Sequence, residues 1–450
     1  MMANWFASIG QAASGVDAAR YGLTVVSQNI SNADTDGYTR ETAQQVSVDP
    51  TVSAGLYTTR GTNLAGGTSV ASVDRMVDPV LDARVRNEQA RGAAADTTSS
   101  FMSGLEQLLP DPGTTGVSAD LNSFWAAWGS LANNPNDSGV RATVLSDASQ
   151  TASDLNGLAG SLDDLATSTA TSLAGDVDQA QTAATNLGTL NEQIALATAT
   201  GQNANNLLDQ RDQLLTKLST LVGGVATIAA NGSASVAVGG QTLVSGSTVG
   251  TLAVSATNSV TVNGTAVTLT GGSAASRVSA LTSTLPTYRA QLDAVANTLV
   301  TAGNAVQQAG YDSTGAQGAA LFGGSGAAGI SVVLTDAGKL AASSTSGTLD
   351  GGNAALASQR GTTTDGPDAA YRSLVAGVAS ASSRSQQAQT TQDAVVSNVN
   401  SLRASVSGVS YDDEITQLLT YQHAFQASSR VLTTVDSMLD TLINHTGAGA

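Results

Sequence analysis

Apolar residues recur at alternating steps of three and four at both ends of this chain. From the N-terminus they run Met2, Trp5, Ile9, Ala12, Val16, Ala19, Leu23, Val26, Ile30. Toward the C-terminus they run Leu418, Tyr421, Phe425, Ser428, Leu432, Val435, Leu439, Leu442, with Ser428 the one polar interruption. A repeat averaging 3.5 residues sets these side chains along one narrow seam of a helix, the geometry of coiled-coil contact. Each seam requires a partner helix.

Between the seams the pattern changes several times. The first helix is expected to end in the polar run Asn29 to Gly37, where Asn, Asp and Gly favour turns. Val46 and Val48 alternate with polar neighbours and Thr68 to Val73 repeats the pattern, which predicts a small hairpin region. Pro79 to Leu109 reads as a helix, with Pro79 in its first turn and Pro110 as a stop. A long helical region follows from about Ser118 to Val222, broken near Asn133 to Asn136. From Gly223 to Gly272, runs such as Ser235 to Val238 and Val260 to Val262 alternate with Gly and Asn turns and predict a compact β insertion. Helix resumes near Ser276, a glycine-rich stretch occupies Gly310 to Gly361, and a further helix spans Tyr371 to Val409. The order of elements is palindromic, which implies a chain that goes out and returns with its termini side by side.

Composition narrows what this chain does. It has 450 residues, enough for several domains, yet only 4% are aromatic and 12% charged while 47 are glycine. The formal charge is -17 and no basic cluster interrupts it, so nucleic acid is a poor partner. No apolar run approaches the roughly 20 residues needed to span a bilayer, so membrane insertion is not expected. Cysteine is absent, which removes disulfides, thiol nucleophiles and cysteine metal sites together. The first residues lack the layout of a cleavable signal peptide.

Motifs that suggest chemistry resolve into structural readings. Asn32, Asp34, Asp36 and Gly37 sit at the first, third, fifth and sixth places of a calcium loop, but the twelfth place is Ala43, where the bidentate carboxylate belongs. Gly324, Gly326 and Gly329 match a dinucleotide fingerprint but precede the strand-like Ile330 to Leu334 instead of opening a helix, which fits a loop. Asp412, Asp413 and Glu414 follow Ser410 and suit a helix start. Only His423 and His445 exist, with no triad partner near either. No catalytic, cofactor or metal site is expected.

The run Gly22-Leu23, Asn29-Ile30-Ser31-Asn32-Ala33, Thr35, Gly37-Tyr38-Thr39-Arg40 resembles the N-terminal signature of flagellar axial proteins, the rod, hook and hook-associated group. Asn206 to Leu215 and the segment from Ser407 to Ile443, including Tyr421-Gln422 and Arg430-Val431-Leu432, are similar to the hook-associated protein 1 family within that group. The resemblance implies a non-enzymatic structural subunit of the bacterial flagellum. Such a subunit is exported by the flagellar type III apparatus, lies outside the cell, and assembles as a homo-oligomeric ring at the hook-filament junction. Its partners would be hook protein, hook-associated protein 3 and a cytoplasmic export chaperone bound to the C-terminal region. The expected assembly interface is Trp5, Ile9, Val16, Leu23, Val26, Asn29, Ile30, Ser31, Asn32, Ala33, Gly37, Tyr38, Leu418, Tyr421, Phe425, Leu432, Val435, Leu439 and Leu442.

The fold expected is mainly α with β insertions, in an elongated multidomain protein. Residues 1–36 with 408–450 form a terminal coiled-coil unit, 37–222 with 275–407 a helical middle domain with small hairpins, and 223–274 an outer β domain. Alternatives are another axial protein, such as hook protein or hook-associated protein 3, or a secreted adhesin built on the β insertion.

Overall fold

The structure is a computed structural model that describes residues 2–48, 66–110, 113 and 115–441. It begins with a 30-residue helix, α1 (Met2–Ser31), followed by a two-stranded antiparallel ribbon of β1 (Glu41–Val48) and β2 (Gly67–Arg75). Then come α2 (Pro79–Gln107), α3 (Val117–Asn133), α4 (Ser138–Ala199) and α5 (Asn205–Val222). Seven short strands follow: β3 (Val225–Ile228), β4 (Ala234–Val238), β5 (Gln241–Ser245), β6 (Thr248–Val249), β7 (Leu252–Val254), β8 (Val260–Val262) and β9 (Thr265–Ala266). The return path is α6 (Ser273–Ser279), a π turn, α7 (Leu285–Ala309), β10 (Phe322–Gly323), β11 (Ser331–Val332), α8 (Gly352–Ser358), α9 (Pro367–Ser407) and α10 (Tyr411–Asp440).

Local chemistry sets these boundaries. Asp78 caps α2 by accepting from the Val80 and Leu81 amides at 2.9 and 3.1 Å, with Pro79 in the first turn. Asp137 caps α4 in the same way. The expected long helical region has two breaks, one before Ser138 and a second at Thr200–Ala204. That second break was not visible as a turn signal, because the Gly201 that enables it (φ +70°) is one glycine among many. The fingerprint glycines lie in the connection between β10 and β11, with Gly324 and Gly326 at positive φ, and open no helix.

Two apolar cores lie along one helix. The 62 residues of α4 extend about 93 Å at 1.5 Å per residue. Its first half contributes Val144, Leu155 and Leu162 to a core with Phe124 and Trp128 of α3, Leu292 and Leu299 of α7, and Tyr371 and Leu374 of α9. Phe124 meets Trp128 edge to face at 6.4 Å and Phe322 at 5.7 Å between ring centroids. Its second half contributes Leu173, Val177 and Leu187 to another core with Leu215 and Leu218 of α5 and Val236, Val244 and Val262 of the β insertion. The insertion is a four-stranded sheet in the order β3-β4-β5-β6 beside a three-stranded sheet β7-β8-β9. The chain enters and leaves it through Gly223 and Gly272, both at positive φ. A Cβ on Gly272 would stand 2.7 Å from the Gly223 nitrogen, so only glycine closes this neck.

The chain ends do lie side by side. α1 packs on α10 along one face and on the β1–β2 ribbon along another. Residue pairs 15–428, 22–421 and 29–414 meet, so the two helices run antiparallel in steps of seven. The coiled-coil character expected of this pairing is not confirmed.

Candidate assembly site

The face that α1 turns toward α10 is offset from the one its apolar pattern suggests. Ala12, Ala19 and Val26 are buried as expected, but the intervening contacts come from Gly15, Gly22 and Asn29, one residue before Val16, Leu23 and Ile30. Those three apolar residues are half-buried. The cause is steric. A Cβ on Gly22 would stand 2.5 Å from the Tyr421 ring, and one on Gly15 would stand 2.7 Å from the Ser428 hydroxyl, so glycine lets α10 side chains rest on the α1 backbone. A hydrophobicity pattern scores glycine as nothing, and close approach is the one property it misses.

On α10 the expected seam faces α1: Leu418, Tyr421, Ser428, Leu432 and Leu439 are half-buried and Val435 is buried. Phe425 is more exposed and sits with Tyr411, Ile415, Leu419, Val431 and Met438 among large apolar residues open to solvent. Ile9 is half-buried. Leu442 and Ile443 lie outside the described residues, as do the side chains of Trp5 and Phe6 and all of His445.

The signature run builds a polar joint at the inner end of this pair. Asn29 is buried and fully engaged. Its Nδ2 donates to the Glu41 carbonyl at 2.8 Å and to Glu414 Oε2 at 3.0 Å, while its Oδ1 accepts from the Glu41 amide at 3.0 Å and the Tyr38 hydroxyl at 2.8 Å. Arg40 Nε holds Glu414 Oε1 at 2.7 Å, and the Arg40 amide donates to the Ser407 carbonyl at 2.9 Å. One asparagine thereby ties α1, the start of β1 and the first turn of α10 together. Burial raises the pKa of Tyr38, reinforced by the negative charges of Glu41, Asp209 and Glu414. Burial also raises Glu41, with Asp209 adding to it, while a hydrogen bond from Asn205 and the charge of Arg75 oppose the shift.

A second layer fastens this joint to α5. Arg75 reaches Asp209 and Asp212, both at 2.7 Å, and donates to the Thr39 hydroxyl at 3.1 Å. Gln213 Nε2 donates to the Asp36 carbonyl at 2.8 Å, beside Gly37 at φ +76°. Asn205 Nδ2 donates to the Val73 carbonyl at 2.9 Å. Asn32 and Ala33 close the end of α1, where the Asn32 amide donates to the Gln28 and Asn29 carbonyls and the Ala33 amide to that of Ile30. Ser31 bonds back to the Ser27 carbonyl. Tyr411 donates to Asp34 across the pair at 3.3 Å.

Sequence reasoning therefore located Asn29, Gly37 and Tyr38 but missed the residues that complete their contacts. Glu414 reads in sequence as a charge at a helix start. In the fold it is buried and salt-bridged to a residue 374 positions away. The Asp209 to Asp212 run carried a family resemblance without a visible role. Its role here is to seat Arg75.

An antiparallel pair of chain ends carrying everything else between them fits the flagellar axial class that the terminal signature resembles. Consistent with that class, residues 400–445 match the family model "Flagellar basal body rod FlgEFG protein C-terminal". Residues 102–322 match "Flagellar hook-associated protein FlgK helical domain". Flagellar hook-associated protein 1 of Bacillus subtilis is 27% identical to this chain over an alignment covering 100% of both. The Salmonella typhimurium protein of the same name is 27% identical over 41% of this chain and 32% of its own length. The solved flagellar hook junction protein FlgK from Burkholderia pseudomallei superposes with a TM-score of 0.65 at 19% identity, covering 72% of this chain and all of that one, a likeness of fold. Along its whole length the chain is similar to flagellar hook-associated protein 1, and its middle matches the helical-domain model of that family.

Proposed function

We propose that this protein is a structural subunit of the hook-filament junction and polymerises there through its paired terminal helices. The observation that carries this is the apolar face left on α10. Ile415, Leu419, Val431 and Met438 are each close to half exposed on a helix whose other side is already occupied by α1. Burying one such side chain is worth roughly 1.5–3 kcal/mol, so several together favour packing against further helices. Full-length similarity to hook-associated protein 1 supports the flagellar setting.

In this reading the subunit stands outside the cell, copies form a ring, and hook protein and hook-associated protein 3 pack on its two sides. A cytoplasmic export chaperone shields the α10 face before assembly. The role is mechanical, with no reaction assigned. Among the described residues, no helix is long and apolar enough to cross a membrane.

The test is Leu419→Asp in the chromosomal gene. Purified variant should melt like the parent, because Leu419 is solvent-exposed in the single chain. Cells should lose filaments and shed filament protein into the medium while keeping hooks. Normal filaments on such cells would overturn the proposal, and loss of the hook as well would point to hook protein instead.

A further inference from the structure

Three segments converge at Arg40 of the polar joint. Its amide donates to the Ser407 carbonyl at the end of α9, its carbonyl accepts from the Met76 amide just past β2 at 2.8 Å, and its guanidinium holds Glu414 in the first turn of α10. Arg403 ties the end of α9 to Asp82 in the first turn of α2, also at 2.8 Å. Around this meeting point apolar side chains face water. Val80 is 80% exposed, the most of any large apolar residue among those described, and Met76, Val77, Leu402 and Val406 are open with it. Nothing in the single chain calls for them, because the first turn of a helix is a polar position and Asp78 already caps this one. Together they form a collar at the base of the α2–α9 pair.

The collar carries a spare charge. Arg84 lies one turn beyond Val80 on the same side of α2, is exposed, and makes no ion pair or hydrogen bond among the described residues. On α10, Asp412, Ile415 and Leu419 follow at steps of three and four, so they share one face, and all three are exposed. The Asp412 carboxylate is likewise outside any ion pair among the described residues. The two surfaces are therefore complementary, aliphatic with a spare cation on α2 and aliphatic with a spare anion on α10. At a formal charge of -17, copies of this chain repel one another in general and approach best where a cation of one meets an anion of the other.

A ring adds a geometric condition. A self-complementary contact closes a pair and stops, whereas a larger ring needs two different patches on each copy, one fitting the other. We infer that the collar of one copy receives the Ile415 and Leu419 face of α10 from the next copy, with Arg84 set against Asp412. This rests on the junction-subunit reading and names the surface that the α10 face meets, so that α2 and α9 join the terminal pair in the contact.

The chain has no cysteine, so introduced thiols report without background. Val80→Cys and Leu419→Cys, made as separate chains in one cell, should be joined into a dimer by a short bismaleimide in isolated flagella, and neither chain alone should give one. Leu196→Cys, exposed near the C-terminal end of α4, should not join to Leu419→Cys. In cells, Val80→Asp should abolish filaments and keep hooks, while the purified variant melts like the parent because an acidic residue suits a helix start. Arg84→Asp and Asp412→Arg should each reduce the fraction of filament-bearing cells severalfold, and the double reversal should restore it. Assembled flagella that yield no mixed dimer, a product joining Val80→Cys to a different protein, normal filaments with Val80→Asp, or a double reversal no better than the singles would each overturn the inference. If Leu419→Asp abolishes filaments and Val80→Asp does not, this contact alone falls. If neither does, the junction reading falls with it.

Discussion

The two ends of α4 and the two ends of the chain solve the same packing problem with different degrees of completeness. Around α4, side chains from α3, α7, α8 and α9 close on every side of Phe124 and Trp128, and both rings are fully buried. Along α10, one neighbour helix and a polar joint are all there is, and of its described residues only Glu414 and Val435 are buried. The first region has the density of a finished interior. The second has a polar lock at one end and an open apolar face along its length. The middle is closed within the chain, while the ends are fixed in direction and keep apolar side chains open to solvent.

The sharpest way to break that comparison is to damage each region and measure the isolated chain. Trp128→Ala should cost about 3–5 kcal/mol and lower the melting temperature of the whole middle region. The α10 change Leu419→Ser should stay within about 0.5 kcal/mol. If the two cost the same in denaturant titrations, the ends are as finished as the middle. At the joint, Glu414→Gln leaves the Arg40 guanidinium without its carboxylate at a site where Glu414 is buried, and about 1.5–3 kcal/mol of local stability should go. Hydrogen exchange should show that loss in α1 and α10 while the amides of α3 and α4 keep their protection.

A gentler probe tests the offset contact line. Gly22→Ala drives a methyl into the Tyr421 ring and should loosen the pair by about 1–3 kcal/mol, read as faster proteolysis within α10. Tyr421→Ala removes the obstacle. The double variant should therefore be less damaged than the sum of the singles, and strict additivity would mean that the two residues do not meet.

What was legible in the chain follows the same division. Helices with long periodic runs, such as α2 and α9, and the alternating strands of the insertion declare themselves, because burial on one face imposes a period. The α10 seam was readable for that reason. The α1 seam was readable at Ala12, Ala19 and Val26 and misread at the intervening positions, because Gly15 and Gly22 act through absent side chains. The joint was half visible: Asn29 and Tyr38 belong to a recognisable run, but the pairing of Arg40 with Glu414 and of Arg75 with Asp209 joins segments more than a hundred residues apart. No local pattern encodes such a pair.

The smallest effect concerns pH, and it probes the finished core. Asp120, at the start of α3, has its pKa pushed up to about 7, first by burial, then by contact with the Asp154 carboxyl, then by repulsion from Asp154 and Asp147. The unfolded chain releases that proton near 3.9, so between about 4 and 7 the folded state binds more protons than the unfolded one. Stability contributed here is present at low pH, falls as pH rises through this window, and levels off above it. Asp147 and Asp368, also raised by burial, act in the same direction, so the informative quantity is the difference between the parent and Asp120→Asn. The variant, unable to ionise, should lose less stability between pH 4.5 and 7.5 than the parent. Parallel melting curves across that range would show that Asp120 ionises freely and that the neighbouring carboxylates do not crowd it. A shallower curve for the variant would place a titrating group inside the rigid middle.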